Sequence, residues 1–347
     1  MGNRPLLRSN PIDQSRLSRI QEAVGDGPVL ILTHDSPDPD GLASGKALDV
    51  LFKKTWGISC DLVYSGLVAR AENQAMLKTL TDEWVHNENL DNFNEYSAIA
   101  LVDTQPGAGN NSLPESQIPH IVIDHHHPLR EPLNEVRYVD VRPEVGATST
   151  MLYQYLEAAN ILPDSILASA MFYGIQTDTH GLARSATSID EEVYMRLLPL
   201  LDREKLIQVE RAGVSREYFR SMNEALKAAR VYEKSLTAYL GEIHRPDLPA
   251  ELADVFIRLK SAQAVLCIGC HRDTLYLSLR MKPLVGDAGT LIQGIVESLG
   301  KAGGHGSMAG GQVPVLGRDE MELVAQLERR FLDLNGDFGE GESLLHL

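Results

Sequence analysis

The first half of the chain alternates short apolar runs with longer stretches in which apolar residues recur every three or four positions. GPVLILTH (27–34), ISCDLVYSG (58–66), SAIALVDT (97–104) and HIVIDHHH (120–127) are the apolar runs, bounded by glycine or polar turns. Such runs predict buried strands. SRLSRIQEAV (15–24), GLASGKALDVLFKKTW (41–56), RAENQAMLKTL (70–80), VGATSTMLYQYLEAAN (145–160) and SILASAMFYGIQTDT (165–179) have helical spacing. Strands alternating with helices predict a parallel, helix-covered sheet, an α/β domain over residues 1–190.

The pattern changes after about residue 186. SIDEEVYMRLLPLLDREKLIQVERAG (188–213) and SREYFRSMNEALKAARVYEKS (215–235) are polar, helical and almost free of strand signal. They predict a helical connector over residues 191–230. SLTAYLGEI (235–243), AQAVLCIGC (262–270) and TLYLSLRMK (274–282) then read as strands at hairpin-like spacing, followed by a helix in GDAGTLIQGIVESLG (286–300). Residues 231–347 are therefore expected to form a smaller α+β domain with a mainly antiparallel sheet. A cleft between the two domains, hinged at the connector, is the expected place for a substrate.

Composition narrows the partners. The 347 residues suffice for two domains with cores of their own, and 48 acidic against 32 basic residues give a formal net charge of −16. That balance argues against long duplex nucleic acid, whose phosphates need a basic footprint. A small anion held by metal ions or a local cationic pocket remains compatible with it. Cys60, Cys267 and Cys270 offer no disulfide framework, as in a reducing cytoplasm. The C-x-x-C of Cys267 and Cys270 lies in an apolar strand with no second pair to complete a zinc site, and reads as core. No run approaches the ~18 apolar residues of a membrane span, and the N-terminus lacks the apolar run of a signal peptide. A cytoplasmic protein without a membrane partner is the expectation.

Candidate chemistry gathers where the apolar elements stop. His34, Asp38 and Asp40 follow the first strand within seven residues, with Pro37 and Pro39 holding the backbone extended. Asp103 ends a second strand. Asp124, His125, His126 and His127 end a third, and Asp178 and His180 end a helical run. Strand ends of an open α/β sheet share one edge, where such folds bind ligands. Carboxylate with some imidazole is a donor set for hard divalent cations, manganese above zinc. Neighbouring residues on a regular strand face opposite ways, so His125 and His126 are not both expected to be ligands. His125 is expected to bind metal, Asp124 to orient a ligand, and His126 to meet a substrate phosphate.

In this order, H-x-x-x-D-x-D (34–40), V-D-T (102–104), D-H-H (124–126) and T-D-T (177–179) resemble the motifs of the DHH phosphoesterase superfamily. AGGHGSMAGG (302–311) resembles the glycine-glycine-histidine signature of its associated C-terminal domain. Domain order and size are similar to the nano-RNase/pAp-phosphatase branch. The resemblance implies two divalent ions, manganese ahead of magnesium or cobalt. His34 and Asp38 would hold one, Asp40, His125 and Asp178 the other, and Asp103 would bridge them. Two such ions ~3.5–4 Å apart supply a hydroxide nucleophile and steady both oxygens of an in-line displacement. It implies hydrolysis of short oligoribonucleotides or 3′-phosphoadenosine 5′-phosphate (pAp), and allows a homodimer. Gly303, Gly304 and His305 would form an anion nest, and Arg280 a fork for a terminal phosphate. Asn73, Ser149 and Arg184 stand where relatives tend to contact substrate.

Rival readings within the same scaffold are a cyclic or linear dinucleotide phosphodiesterase, a RecJ-type single-strand exonuclease and an exopolyphosphatase. An exonuclease on longer strands would want a basic groove and stacking aromatics, but aromatics are 6% of the chain. A nucleotide-sensing module without turnover is the non-enzymatic alternative, and the presence of all six candidate ligands speaks against it.

Overall fold

The computed structural model describes residues 12–89, 93–130 and 133–345, in two compact units divided between Gly213 and Val214. In the first unit, strands β1 (Val29–Leu32), β2 (Cys60–Tyr64), β3 (Val85–His86), β4 (Ala98–Val102), β5 (Ile121–Asp124) and β6 (Tyr138–Val141) form one sheet. Its order is β3-β2-β1-β4-β5-β6 and every pairing is parallel. β1, β4 and β5 are buried at every position, which is why they read as unbroken apolar runs.

Helices α1 (Gln14–Val24), α2 (Pro39–Trp56), α3 (Ala71–Thr79), α4 (Thr148–Ala158), α5 (Ser165–Asp178), α6 (Ser188–Leu197) and α7 (Arg203–Glu210) complete the unit. Val29 and Ile31 pack under the helices, while Leu30 and Leu32 face a second core closed by Phe93, Tyr96, Leu113 and Leu133. The sheet is thus helix-covered on one face and loop-covered on the other. The chain winds from β1 outward to β3 and then restarts at β4 on the other side of β1. That reversal opens a crevice at the carboxyl ends of β1 and β4, the usual ligand position in open parallel sheets.

The second unit contains α8 (Arg216–Ala228), α9 (Leu248–Phe256), α10 (Ala288–Val296) and α11 (Glu320–Asn335). Its strands are β7 (Arg230–Val231), β8 (Ser235–Glu242), β9 (Ala264–His271), β10 (Thr274–Met281), β11 (Lys301–His305), β12 (Met308–Pro314) and β13 (Glu342–Ser343). The order is β11-β12-β10-β9-β8-β7-β13, antiparallel except for β8 with β9, whose connection contains α9. The fold is the α/β plus α+β pair that the sequence predicts. The expected connector is divided, however: α6 and α7 belong to the first unit and α8 to the second. The glycine-rich stretch 302–311 lies in the β11–β12 hairpin. Cys267 and Cys270 fall in cores on opposite faces of the sheet, so they can share neither a disulfide nor an ion. No helix among the described residues is long and apolar enough to cross a membrane.

Candidate metal centre

Local folding aims each side chain at the crevice. After β1 the chain turns through His34 to Asp38, whose carboxylate caps α2 by accepting the Asp40 and Gly41 N–H groups, each at 3.0 Å. Pro39 opens the helix without needing a backbone partner. Asp40, in the first turn, is wholly buried. Its oxygens accept the N–H groups of Thr148 (2.6 Å) and Ser149 (2.8 Å) at the N-terminus of α4. Gly174 on α5 permits this closeness, because a Cβ there would stand 3.0 Å from the Asp40 Cα.

Asp103 follows β4 with φ of +62°, a left-handed conformation rare for a residue with a side chain. It is 1% exposed, and its Oδ1 accepts the Thr148 hydroxyl at 2.7 Å. His34 and His125 each place Nδ1 against a carbonyl, that of Asp35 at 3.0 Å and that of Val145 at 3.1 Å. Only an N–H can face a carbonyl, so both rings carry a proton on Nδ1 and turn Nε2 inward, the nitrogen an ion would take.

The donors converge in three groups, with ligand atoms inside each mutually within 4.8 Å: His34, Asp38 and Asp103; Asp40, His125 and Asp178; Asp103, His125 and His126. His34 Nε2 lies 3.6 Å from Asp38 and 3.7 Å from Asp103, and His125 Nε2 lies 3.2 Å from Asp178 and 3.6 Å from Asp103. Donors bonded to one cation at about 2.1 Å stand roughly 3–3.5 Å apart, so these spacings suit an ion. Among the described residues, Asp103 Oδ2 and His125 Nε2 are buried without a hydrogen bond. Orphaned buried polar atoms are costly unless something binds them.

Electrostatics point the same way. Burial, aided by Asp38, lifts the Asp103 carboxyl to about 7 against the pull of the histidines. Burial and then the charges of Asp103 and Asp178 push Asp40 well above the usual carboxylate range. Burial would depress His34 and His126, but Asp38 and Asp103 outweigh it at His34, lifting it to about 10. Asp124 and Asp103 lift His126 to about 9. The protein thus crowds four carboxylates around a small space, a charge that two divalent cations would balance.

Gly41 keeps that space open. A Cβ there would collide with Thr33 Oγ1 and come within 3.3 Å of His34 Nε2 and 3.4 Å of Asp103 Oδ2. Gly41→Ala is expected to weaken manganese binding at least about 10-fold, the scale of disturbing groups that support a ligand. Calorimetric titration with Mn2+, alongside an unchanged far-ultraviolet spectrum, measures it.

Several expectations change. Because β5 ends at Asp124, strand alternation does not govern the next two residues. The His125 and His126 rings lie 4.3 Å apart, and both approach Asp103. Asp124 holds His126, Oδ1 to Nδ1 at 2.8 Å, rather than a residue of the expected ligand set. Ser149 is wholly buried behind Asp40 and cannot meet a substrate through its side chain. Asn73 is pinned to the Pro37 carbonyl at 3.3 Å, and Arg184 reaches the Asp178 carbonyl at 3.4 Å. In the second unit Arg280 is buried, its guanidinium engaged by Asp254, Ser278 (3.0 Å) and the Leu279 carbonyl (3.2 Å), so it is not an open fork. Gly303 has open space where a side chain would stand, whereas a Cβ on Gly304 would strike Ala309. The His305 side chain lies outside the described residues.

Thr148, Gln105 and Asp190 were not legible as site residues. Asp190, fully buried, accepts the Gly146 N–H at 2.9 Å and the Thr150 hydroxyl at 2.6 Å, and so fixes the turn that delivers Thr148. A carboxylate two to four residues into a polar helix gives no sequence sign of this reach.

Residues 28–175 match the profile of the DHH family, N-terminal domain. An uncharacterised protein of Methanocaldococcus jannaschii is 34% identical over 291 residues, 83% of this chain and 58% of that protein. The chain therefore spans less than two thirds of the curated relative it matches. Among solved structures, an exopolyphosphatase-related protein from Bacteroides fragilis is similar with a TM-score of 0.72 at 16% identity, over 94% of this chain and 98% of that one. RecJ in complex with Mn2+ from Thermus thermophilus gives 0.57 at 15%, over 97% and 57%. At such identities the likeness is one of fold. What the chain shares with the DHH family is thus its N-terminal domain, over residues 28–175.

Proposed function

We propose that the protein is a metal-dependent phosphoesterase acting on short oligoribonucleotides or on pAp. The observation that carries this reading is the pair of donor groups, His34–Asp38–Asp103 and Asp40–His125–Asp178, with His125 Nε2 3.6 Å from Asp103, a buried carboxylate with an orphaned oxygen. Two divalent ions held there, manganese by preference, would activate water and neutralise phosphate charge. The remaining work falls to the chain. Thr148 orients Asp103 and Asp40 together. The Asp35 and Val145 carbonyls fix the two inward imidazoles. His126, with Nδ1 bound to Asp124 and its side chain 44% exposed, presents Nε2 to a phosphate oxygen.

A small substrate fits the acidic surface, since charges beyond about 8–10 Å are screened at physiological salt. Arg280 leaves the reading, and the open Gly303 edge of β11 remains a candidate for phosphate contact. Turnover should be compared on an RNA dinucleotide, a long RNA, pAp, cyclic-di-AMP and polyphosphate with Mn2+ present. Hydrolysis of the dinucleotide and pAp, at least about 10-fold faster than the long RNA and abolished by chelation, is expected, a margin of ~1.4 kcal/mol. Turnover of polyphosphate alone would overturn the nucleotide assignment. Binding of nucleotide without any turnover would return the protein to the sensor class.

A further inference from the structure

We propose that Gln105 is a positioning residue that sets the orientation of His126 through Asp124. Gln105 is 2% exposed and spends its whole amide on the loop after β5. Its Nε2 donates to Asp124 Oδ2 at 2.7 Å and to the His126 carbonyl at 3.0 Å. Its Oε1 accepts the Arg130 N–H at 2.9 Å. That last bond decides which end of the amide is oxygen, because an N–H cannot face an amide NH2. The Gln105 backbone is held in turn, its carbonyl accepting Asn111 Nδ2 at 3.0 Å.

The consequence passes along a chain of bonds. Asp124 is wholly buried and has two oxygens to satisfy: Gln105 takes Oδ2, and His126 Nδ1 takes Oδ1 at 2.8 Å. With Oδ2 occupied, the carboxylate cannot rotate without breaking a buried hydrogen bond, which costs more than making it gains. Imidazole Nδ1 must then carry a proton, and Nε2 is left as the atom that points away from Asp124. The arrangement parallels a carboxylate that orients a catalytic histidine, with Gln105 one bond further back. Remove Gln105, and Asp124 is free to turn both oxygens elsewhere, including toward the His126 Nε2 face. None of the six proposed ligands, His34, Asp38, Asp40, Asp103, His125 and Asp178, shares a hydrogen bond with Gln105 here, so ion binding should be indifferent to it.

This inference rests on the phosphoesterase reading for its kinetic arm, and has a second arm that does not. In the Mg2+-loaded protein, nitrogen-15 spectra of the histidine side chains report the hydrogen bond made by His126 Nδ1. Wild type is expected to show one hydrogen-bonded Nδ1–H signal, and Gln105→Leu an averaged one. In kinetics, Gln105→Leu should lower kcat at least about 10-fold with KM and Mn2+ affinity changed less than twofold, equivalent to ~1.4 kcal/mol. In a His126→Ala background the same substitution should cost nothing further, because a residue acting only through His126 has nothing left to act on. An unchanged His126 spectrum, or an equal loss of kcat in both backgrounds, would overturn the proposal. Absence of turnover in wild type with the spectral change at His126 still present would sink the phosphoesterase reading and leave this one standing. If Gln105→Leu fails to fold, Gln105→Glu keeps the acceptor for Arg130, replaces the donor to Asp124 and the His126 carbonyl with a carboxylate oxygen, and carries the same two measurements.

Discussion

Asp103→Asn should abolish hydrolysis, lowering kcat/KM by about 10³-fold or more, a loss of at least ~4 kcal/mol in transition-state stabilisation. The variant keeps the shape of the side chain and an oxygen for the Thr148 hydroxyl, so the fold is retained. It removes the charge shared by the His34–Asp38 and His125–His126 groups. It also aims amide hydrogens at atoms that should face a cation. Disturbing a group behind a metal ligand costs about 10–100-fold, and deleting a shared ligand should exceed that. Thermal unfolding gives an independent reading. With Mn2+ at about 100 times its Kd, wild type should gain ~2.7 kcal/mol and the variant almost none. In chelator the order should close or invert. The Asp103 carboxyl is lifted to about 7 in the fold, so above that pH wild type holds a buried charge its unfolded chain carries at no cost. Intact turnover in Asp103→Asn would show the bridging role to be wrong.

Asp140→Asn should cost about 3–5 kcal/mol of stability, the penalty for leaving one partner of a buried ion pair alone. Asp140 and Arg142 are 6% and 7% exposed. Arg142 Nε donates to Asp140 at 2.9 Å, and Tyr155 adds a bond at 2.6 Å. Burial would raise the Asp140 carboxyl, but Arg142, Tyr155 and Arg16 outweigh it and hold it below its ordinary value. A depressed carboxylate stabilises fully above the unfolded value of about 3.9 and loses that contribution as pH falls through its folded one. Urea titrations should therefore show the gap between wild type and variant narrowing below about pH 4. The site should feel the change as well. The Arg142 N–H binds the Asp124 carbonyl at 2.9 Å, and its own carbonyl holds Val145, the residue that fixes His125.

The strands that carry the centre were legible because they are buried on both faces, which forces the unbroken apolar runs ending at His34, Asp103 and Asp124. The six candidate ligands were legible because carboxylates and imidazoles at successive strand ends have few structural reasons to be there. What escaped had other signals. β6 is an edge strand with Val139 half out, and β3 is two residues long, so neither makes a run. β11 and β12 are rich in glycine, which close backbone approach requires at Gly304 over Ala309, and glycine composition reads as a loop. Periodicity assigned His125 and His126 to opposite faces because it cannot show that the strand stops one residue earlier. Thr148, Gln105 and Asp190 reach the centre through backbone turns, and no local pattern records where a turn delivers a side chain.

Both oxygens of Asp40 already take the first amides of α4, so one carboxylate joins α2 to α4 while also facing the donor group with His125 and Asp178. Ion capture and helix docking then draw on a single side chain and should rise and fall cooperatively. In hydrogen exchange, the amides of Thr148 and Ser149 should be among those whose protection responds most to chelation, and should open together with α2 rather than by local fraying.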